Sequence, residues 1–148
     1  MQTTTGSPAA AAALGYAGLL PFVAGALAVW PAGADAAAVV AAFLGYGVAI
    51  LAFLGGIQWG AALQPSAARA SERLAVGVLP PLIGWVALAL PPAPASAVLG
   101  LAFAALLGWE RTRGRLPAPA WYPALRLRLT LIVILCHGVV LAALLTGG

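Results

Sequence analysis

The basic residues fall into two short clusters, each placed between long apolar runs, and this alternation constrains the chain more than any motif in it. Arg69 and Arg73 separate the second run from the third, and Arg111, Arg113, Arg115, Arg126 and Arg128 separate the fourth from the fifth. The runs cover about residues 9–30, 36–63, 74–90, 95–109 and 129–146. A hydrocarbon core of about 30 Å takes roughly 20 helical residues, so the first two runs span with residues to spare and 95–109 is the shortest. With 64% hydrophobic residues, 7% charged and a mean hydropathy of +1.05, the 148 residues hold more apolar surface than a soluble core of that size buries. The expected fold class is all-α: one polytopic membrane domain over residues 1–148, a bundle of five transmembrane helices.

Loop charge sets the expected orientation. Both arginine clusters belong on the cytoplasmic side, which puts the amino terminus inside and the carboxyl terminus outside. Dropping the short fourth run would separate the two clusters, so the rule favours five spans. The basic residues are arginines without a lysine, and they form no broad basic face with stacking groups, which excludes a nucleic-acid surface. Arginine in place of lysine, with abundant alanine, points to a GC-rich coding sequence. The expected location is therefore a bacterial inner membrane.

Local signals support this division. Asp35 is placed to cap the second run, Glu72 suits the positive end of the third, and Pro91, Pro92 and Pro94 close that third run. Trp59, Trp109 and Trp121 fall near the inner boundary and Trp30 and Trp85 near the outer one, as interfacial anchors do. Pro117, Pro119 and Pro123 argue against a long helix over residues 110–128, which reads as an interfacial loop held by Trp121 and Tyr122. Ala32, Gly33 and Ala34 resemble a signal-peptidase site, but no basic residue precedes the first run, and that run is longer than a signal core.

Small residues dominate the candidate contact surfaces. In the second run Gly45, Ala49, Ala52, Gly56 and Gly60 recur every three or four residues, forming a stripe that lets another helix approach closely, from within the bundle or from a partner subunit. Pro21 in the first run and Pro80 with Pro81 in the third are expected to kink or interrupt their helices and free carbonyls that need partners in the bundle. His137 lies near the middle of the fifth run, where an ionisable side chain is costly and faces protein. Its imidazole can bond to a neighbouring helix, ligate a tetrapyrrole metal or bond a quinone. Gln58, beside Trp59, can clasp helices or bind a polar head. Cys136 stands alone and reads as a small buried hydrophobe, with no disulfide or metal role. No nucleophile with a base and no mid-membrane acid is evident, so neither an enzyme nor a transporter is expected.

Three stretches carry a resemblance: residues 15–22, GYAGLLPF; residues 45–63, GYGVAILAFLGGIQWGAAL; and residues 119–130, PAWYPALRLRLT. Together they resemble the bacterial family of unknown function that also includes mitochondrial transmembrane protein 69. The resemblance implies a small polytopic membrane protein and supplies no activity. In that family the position of Gln58 is commonly a histidine, from which this chain departs. By matching position it singles out Gly55, Gly56, Trp59 and Gly60, then Trp121, Tyr122, Arg126 and Thr130. The expected function is that of an accessory or assembly subunit of a larger membrane complex, with no cofactor. The alternative is a binding protein for a quinone, lipid or tetrapyrrole around Gln58 and His137.

Overall fold

The computed structural model describes residues 7–31, 33–65, 67–116 and 118–147. Ala32, Pro117 and most of the stretch before the first run lie outside the described residues. Six α-helices follow one another: α1 (Pro8–Ala17), α2 (Leu20–Ala28), α3 (Ala36–Ala62), α4 (Ala70–Ala87), α5 (Pro92–Thr112) and α6 (Tyr122–Thr146). Among the described residues there is no strand. Among the described residues four stretches are long and apolar enough to cross a membrane: Pro8–Ala28, Ala36–Ala62, Pro92–Thr112 and Tyr122–Thr146. The fifth long helix, α4, has 18 residues and carries Glu72 and Arg73 in its first turn, which lowers its apolarity below theirs.

Several sequence expectations need correction. The segment 95–109 is not a short helix. It runs from Pro92 to Thr112, 21 residues, because a proline at the first helical positions has no amide to lose and starts a helix rather than stopping one. The segment 110–128 is less of a loop than its prolines imply, since Glu110 to Thr112 finish α5 and α6 begins at Tyr122 with Pro123 in its first turn. Asp35 occupies the capping position of α3 within a 3-10 turn (Gly33–Asp35), but its side chain makes no capping bond. Glu72 does lie in the first turn of α4, paired with exposed Arg69 at 2.8 Å.

Proline acts differently in the two helices it enters. Ahead of Pro21 the first span breaks into α1 and α2, and the carbonyl of Gly18, at the break, accepts a 2.9 Å hydrogen bond from the Tyr46 hydroxyl. By contrast, α4 continues through Pro80 and Pro81. Pro81 has no amide for the carbonyl of Gly77, and that carbonyl faces Gly55 of α3, where an added Cβ would lie 2.5 Å from it. Gly77 in turn leaves room for the Trp59 ring. These two glycines allow α3 and α4 to approach backbone to backbone, the close packing on which helix association in lipid depends.

The helix α3 is central, packed most extensively on α4 and also on α2 and α5, while α6 lies along α5 and α2. At mid-bundle Phe22 meets Phe43, Tyr46 and Phe103 edge to face with centroids 5.0 to 6.1 Å apart. Such pairs pack the core with defined geometry.

Candidate functional site

At the arginine-bearing end of the bundle, four helices converge on polar side chains that are almost fully buried. Gln58 of α3, Arg73 of α4, Glu110 of α5 and Arg126 of α6 are 0%, 4%, 8% and 7% exposed. Buried polar groups of this kind are tolerated only when they satisfy one another. The Gln58 amide is engaged at both ends: Nε2 donates to Glu110 Oε1 at 2.9 Å, and Oε1 accepts from Arg73 Nη1 at 3.0 Å. Arg73 donates as well to three backbone carbonyls, Ala68 at 3.2 Å, Gly114 at 3.1 Å and Arg115 at 2.5 Å. Its guanidinium carbon lies 5.7 Å from the centroid of the Trp109 ring, within cation–π range.

Arg126 faces Glu110 from the other side. Its Nε lies 3.0 Å from Oε2 without the alignment of a hydrogen bond, so this is a charge contact, and Nη2 reaches Oε1 at 3.5 Å. Nη1 donates to the Thr130 hydroxyl one turn along α6. Arg126 therefore engages the carboxylate directly, and Arg73 is linked to it only through the Gln58 amide. The Arg73 charge is spread over carbonyls, while Arg126 has N–H groups beyond those these contacts use.

The local sequence produces this arrangement. Arg73 sits in the first turn of α4, close to the chain entering from α3. Gly114 follows α5 at a point where a Cβ would run into the Trp109 ring, and its amide bonds the Trp109 carbonyl at 2.8 Å. The fold between α5 and α6 thereby points the Gly114 and Arg115 carbonyls at Arg73 and brings the two arginine clusters to the same end of the bundle.

The second polar site is His137, at mid-bundle. Its ring is 2% exposed among Phe22, Phe43 and Phe103, with centroids 5.9, 4.8 and 5.8 Å away. The Ser96 hydroxyl of α5 lies 3.1 Å from the His137 carbonyl and 3.2 Å from Nδ1. That hydroxyl has one proton, so donating it to the carbonyl makes Nδ1 the donor to Oγ and leaves Nε2 an acceptor. Nε2 has no hydrogen-bond partner among the described residues. Gly47 makes room for it, since an added Cβ there would lie 3.3 Å from Nε2.

A family described as "Protein of unknown function (DUF3429)" matches residues 7–142, nearly the whole chain. The chain belongs to this family. Transmembrane protein 69 of Xenopus tropicalis is 33% identical over 135 residues, 86% of this chain and 52% of that protein. Transmembrane protein 69 of Mus musculus is 30% identical over 138 residues, 91% of this chain and 56% of that protein. The chain thus spans about half the length of the curated relatives it matches. No solved structure matches it.

The family resemblance therefore holds, and with it the reading of a multi-pass membrane protein of unknown function. In this DUF3429 chain the two groups of residues singled out by sequence meet at one end. Trp59 donates to the Leu74 carbonyl at 3.0 Å beside Gln58, and Arg126 with Thr130 reaches Gln58 through Glu110. Trp121 meets Tyr122 edge to face at 6.1 Å. Gln58 and His137 are not brought together. His137 lies level with Gly47, eleven residues from Gln58 on α3, which is about 16 Å at a helical rise of 1.5 Å.

Arg73, Glu110, Gly114 and Ser96 were not singled out from sequence as members of a site. One signal was present: Glu110 is one of three acidic residues in the chain and borders an apolar run. An acid in that setting needs a buried cation.

Proposed function

We propose that this protein is a non-enzymatic accessory or assembly subunit of a larger complex in a bacterial inner membrane, with five crossings, its amino terminus cytoplasmic and its carboxyl terminus outside. What supports five crossings is the contact of Arg73 with the Gly114 and Arg115 carbonyls, because an α4 that leaves the arginine-bearing end and an α5 that returns to it keep both clusters on one side. The docking role rests on which glycines the bundle itself uses. Cβ atoms added at Gly47, Gly55, Gly77 and Gly84 would meet other helices within 3.4 Å, whereas at Gly45, Gly56 and Gly60 they would meet nothing within 4 Å. Those three, with Ala49, form an exposed smooth stripe along α3, and a helix from outside the chain is the occupant it suits.

Gentle extraction followed by native electrophoresis tests this reading. The expected result is a species well above the monomer that carries stoichiometric partner chains, reduced to the monomer in a Gly56→Leu, Gly60→Leu variant whose fold is intact. A monodisperse monomer from the unaltered chain at native expression contradicts it.

One observation favours a second reading, a ligand-binding function centred on His137, namely the buried and unpartnered Nε2. The hydroxyl of a reduced quinone or a tetrapyrrole metal would satisfy that lone pair. The absorption spectrum and organic extract of the purified protein then contain a ligand that is lost in His137→Ala. A protein that is colourless and ligand-free, with His137→Ala unchanged in fold and partners, removes this reading.

A further inference from the structure

Two concavities meet at the start of α6. The first, of about 400 Å³, is lined by Glu110, Arg111, Arg115, Tyr122 and Arg126 among others, three guanidinium groups against one carboxylate that Arg126 and Gln58 already engage. The second, of about 350 Å³, is an apolar groove between the first span, α3 and α6. Both volumes fall within the range of small-molecule sites, about 300–1,000 Å³. Tyr122 and Arg126 line both, so the polar pocket continues into the apolar groove at those two side chains.

The groove has a direction and a length. On α6 it extends from Tyr122 to Val133, eleven residues, or about 16 Å at 1.5 Å per residue. One leaflet of a hydrocarbon core about 30 Å thick is about 15 Å deep. Leu14 and Phe53 line the groove while 75% and 65% exposed, so it opens sideways, toward lipid. Its walls are apolar except for Tyr122 and Arg126 at the arginine end and Thr130 farther along, whose hydroxyl accepts from Arg126 Nη1. The α6 amino terminus, which has no side-chain cap, lies at the same place and adds the positive end of a 25-residue helix.

We propose that these two concavities form one binding site for an anionic phospholipid of the adjacent leaflet, with its phosphate at Arg111, Arg115 and Arg126 and one acyl chain along the groove to Val133. Each part answers a different part of the ligand. The excess of guanidinium over carboxylate selects a negative head, and the leaflet-deep apolar groove selects a chain over a soluble anion. The site lies on the α1–α6 side of α3, on a different face from the open glycine stripe, so it stands independently of the assembly reading. It is also separate from His137, which does not line the groove.

Native mass spectrometry of the full chain, released from detergent after titration with phosphatidylglycerol, phosphatidylcholine or inorganic phosphate, tests the site. One phosphatidylglycerol per chain is expected to remain bound, about tenfold more tightly than phosphatidylcholine, while inorganic phosphate does not displace it. Arg111 and Arg115 are exposed, so an Arg111→Gln, Arg115→Gln variant keeps its fold and loses the preference for the anionic lipid. Ala11→Trp, which fills the groove, loses retention of both lipids with its helical circular dichroism unchanged. Equal retention of the two lipids by the unaltered chain overturns the proposal. So does displacement by inorganic phosphate, or retention of phosphatidylglycerol by Ala11→Trp. An adduct with the mass of a second copy or another polypeptide, lost in Ala11→Trp, gives the groove to a protein partner and overturns it as well.

Discussion

Glu110→Ala is expected to lower stability by about 3–5 kcal/mol, because it leaves buried charge without its counter-charge. Arg126 then keeps Thr130 of the partners named above, and Gln58 Nε2, fully buried, loses its acceptor. A charge stranded in this way costs more than the native pair gains, since attraction within the pair is offset by the desolvation of both members. Glu110→Gln keeps an acceptor for Gln58 and loses only the charge, so its effect is expected to be smaller, about half as large. Thermal or denaturant unfolding of the purified protein in detergent checks both values. A Glu110→Ala protein as stable as the parent would mean that Arg126 has another counter-charge.

Arg73→Ala comes next in expected effect, about 3 kcal/mol from several charge-assisted bonds lost together. Its consequence is local as well as global. The Gly114 and Arg115 carbonyls lose the donor that fastens the chain between α5 and α6 to the start of α4. Amide hydrogen exchange in residues 113–121 is expected to rise by about an order of magnitude or more, with α2 and the middle of α3 little changed. Arg73→Lys is expected to recover little of the loss, since an ammonium has three donors on one atom and cannot span Gln58, Ala68 and the two carbonyls that follow α5 as a planar fork does. Full protection of residues 113–121 in Arg73→Ala would show that this connection holds itself.

The apolar runs and the two arginine clusters made the helical bundle legible from sequence, because lipid permits few backbone solutions and each run needs about one bilayer of length. Gln58 was legible as well, being a lone amide in an apolar run. Glu110 and Arg73 were harder to read for two different reasons. Pro91, Pro92 and Pro94 read as the end of one helix when they begin the next, which shortened α5 at its start, and Pro117, Pro119 and Pro123 made residues 110–128 read as a loop that took in Glu110. Arg73 carries a topology signal that any arginine near a boundary would carry, and nothing along the chain states that residues 114 and 115 return to it. A similar gap applies to the glycines of α3. Spacing identifies Gly45, Gly56 and Gly60 and the resemblance adds Gly55, but only the crossing with α4 separates Gly55, filled from within, from Gly56 and Gly60, open on the outside. His137 was legible as costly, while its partner Ser96 lies 41 residues away on a helix whose register against α6 appears only in three dimensions.

The central claim is that Arg73, Gln58, Glu110 and Arg126 act as one buried clamp on the ends of four helices. A double-mutant cycle between Glu110→Gln and Arg126→Gln, measured by unfolding in lipid or detergent, tests it most directly. The clamp predicts strong coupling, with the double variant more stable than the sum of the single losses by about 1–3 kcal/mol, because the second substitution removes the charge that the first left stranded. Losses that add to within about 0.5 kcal/mol would contradict it, and would mean that the two side chains are neighbours without being partners.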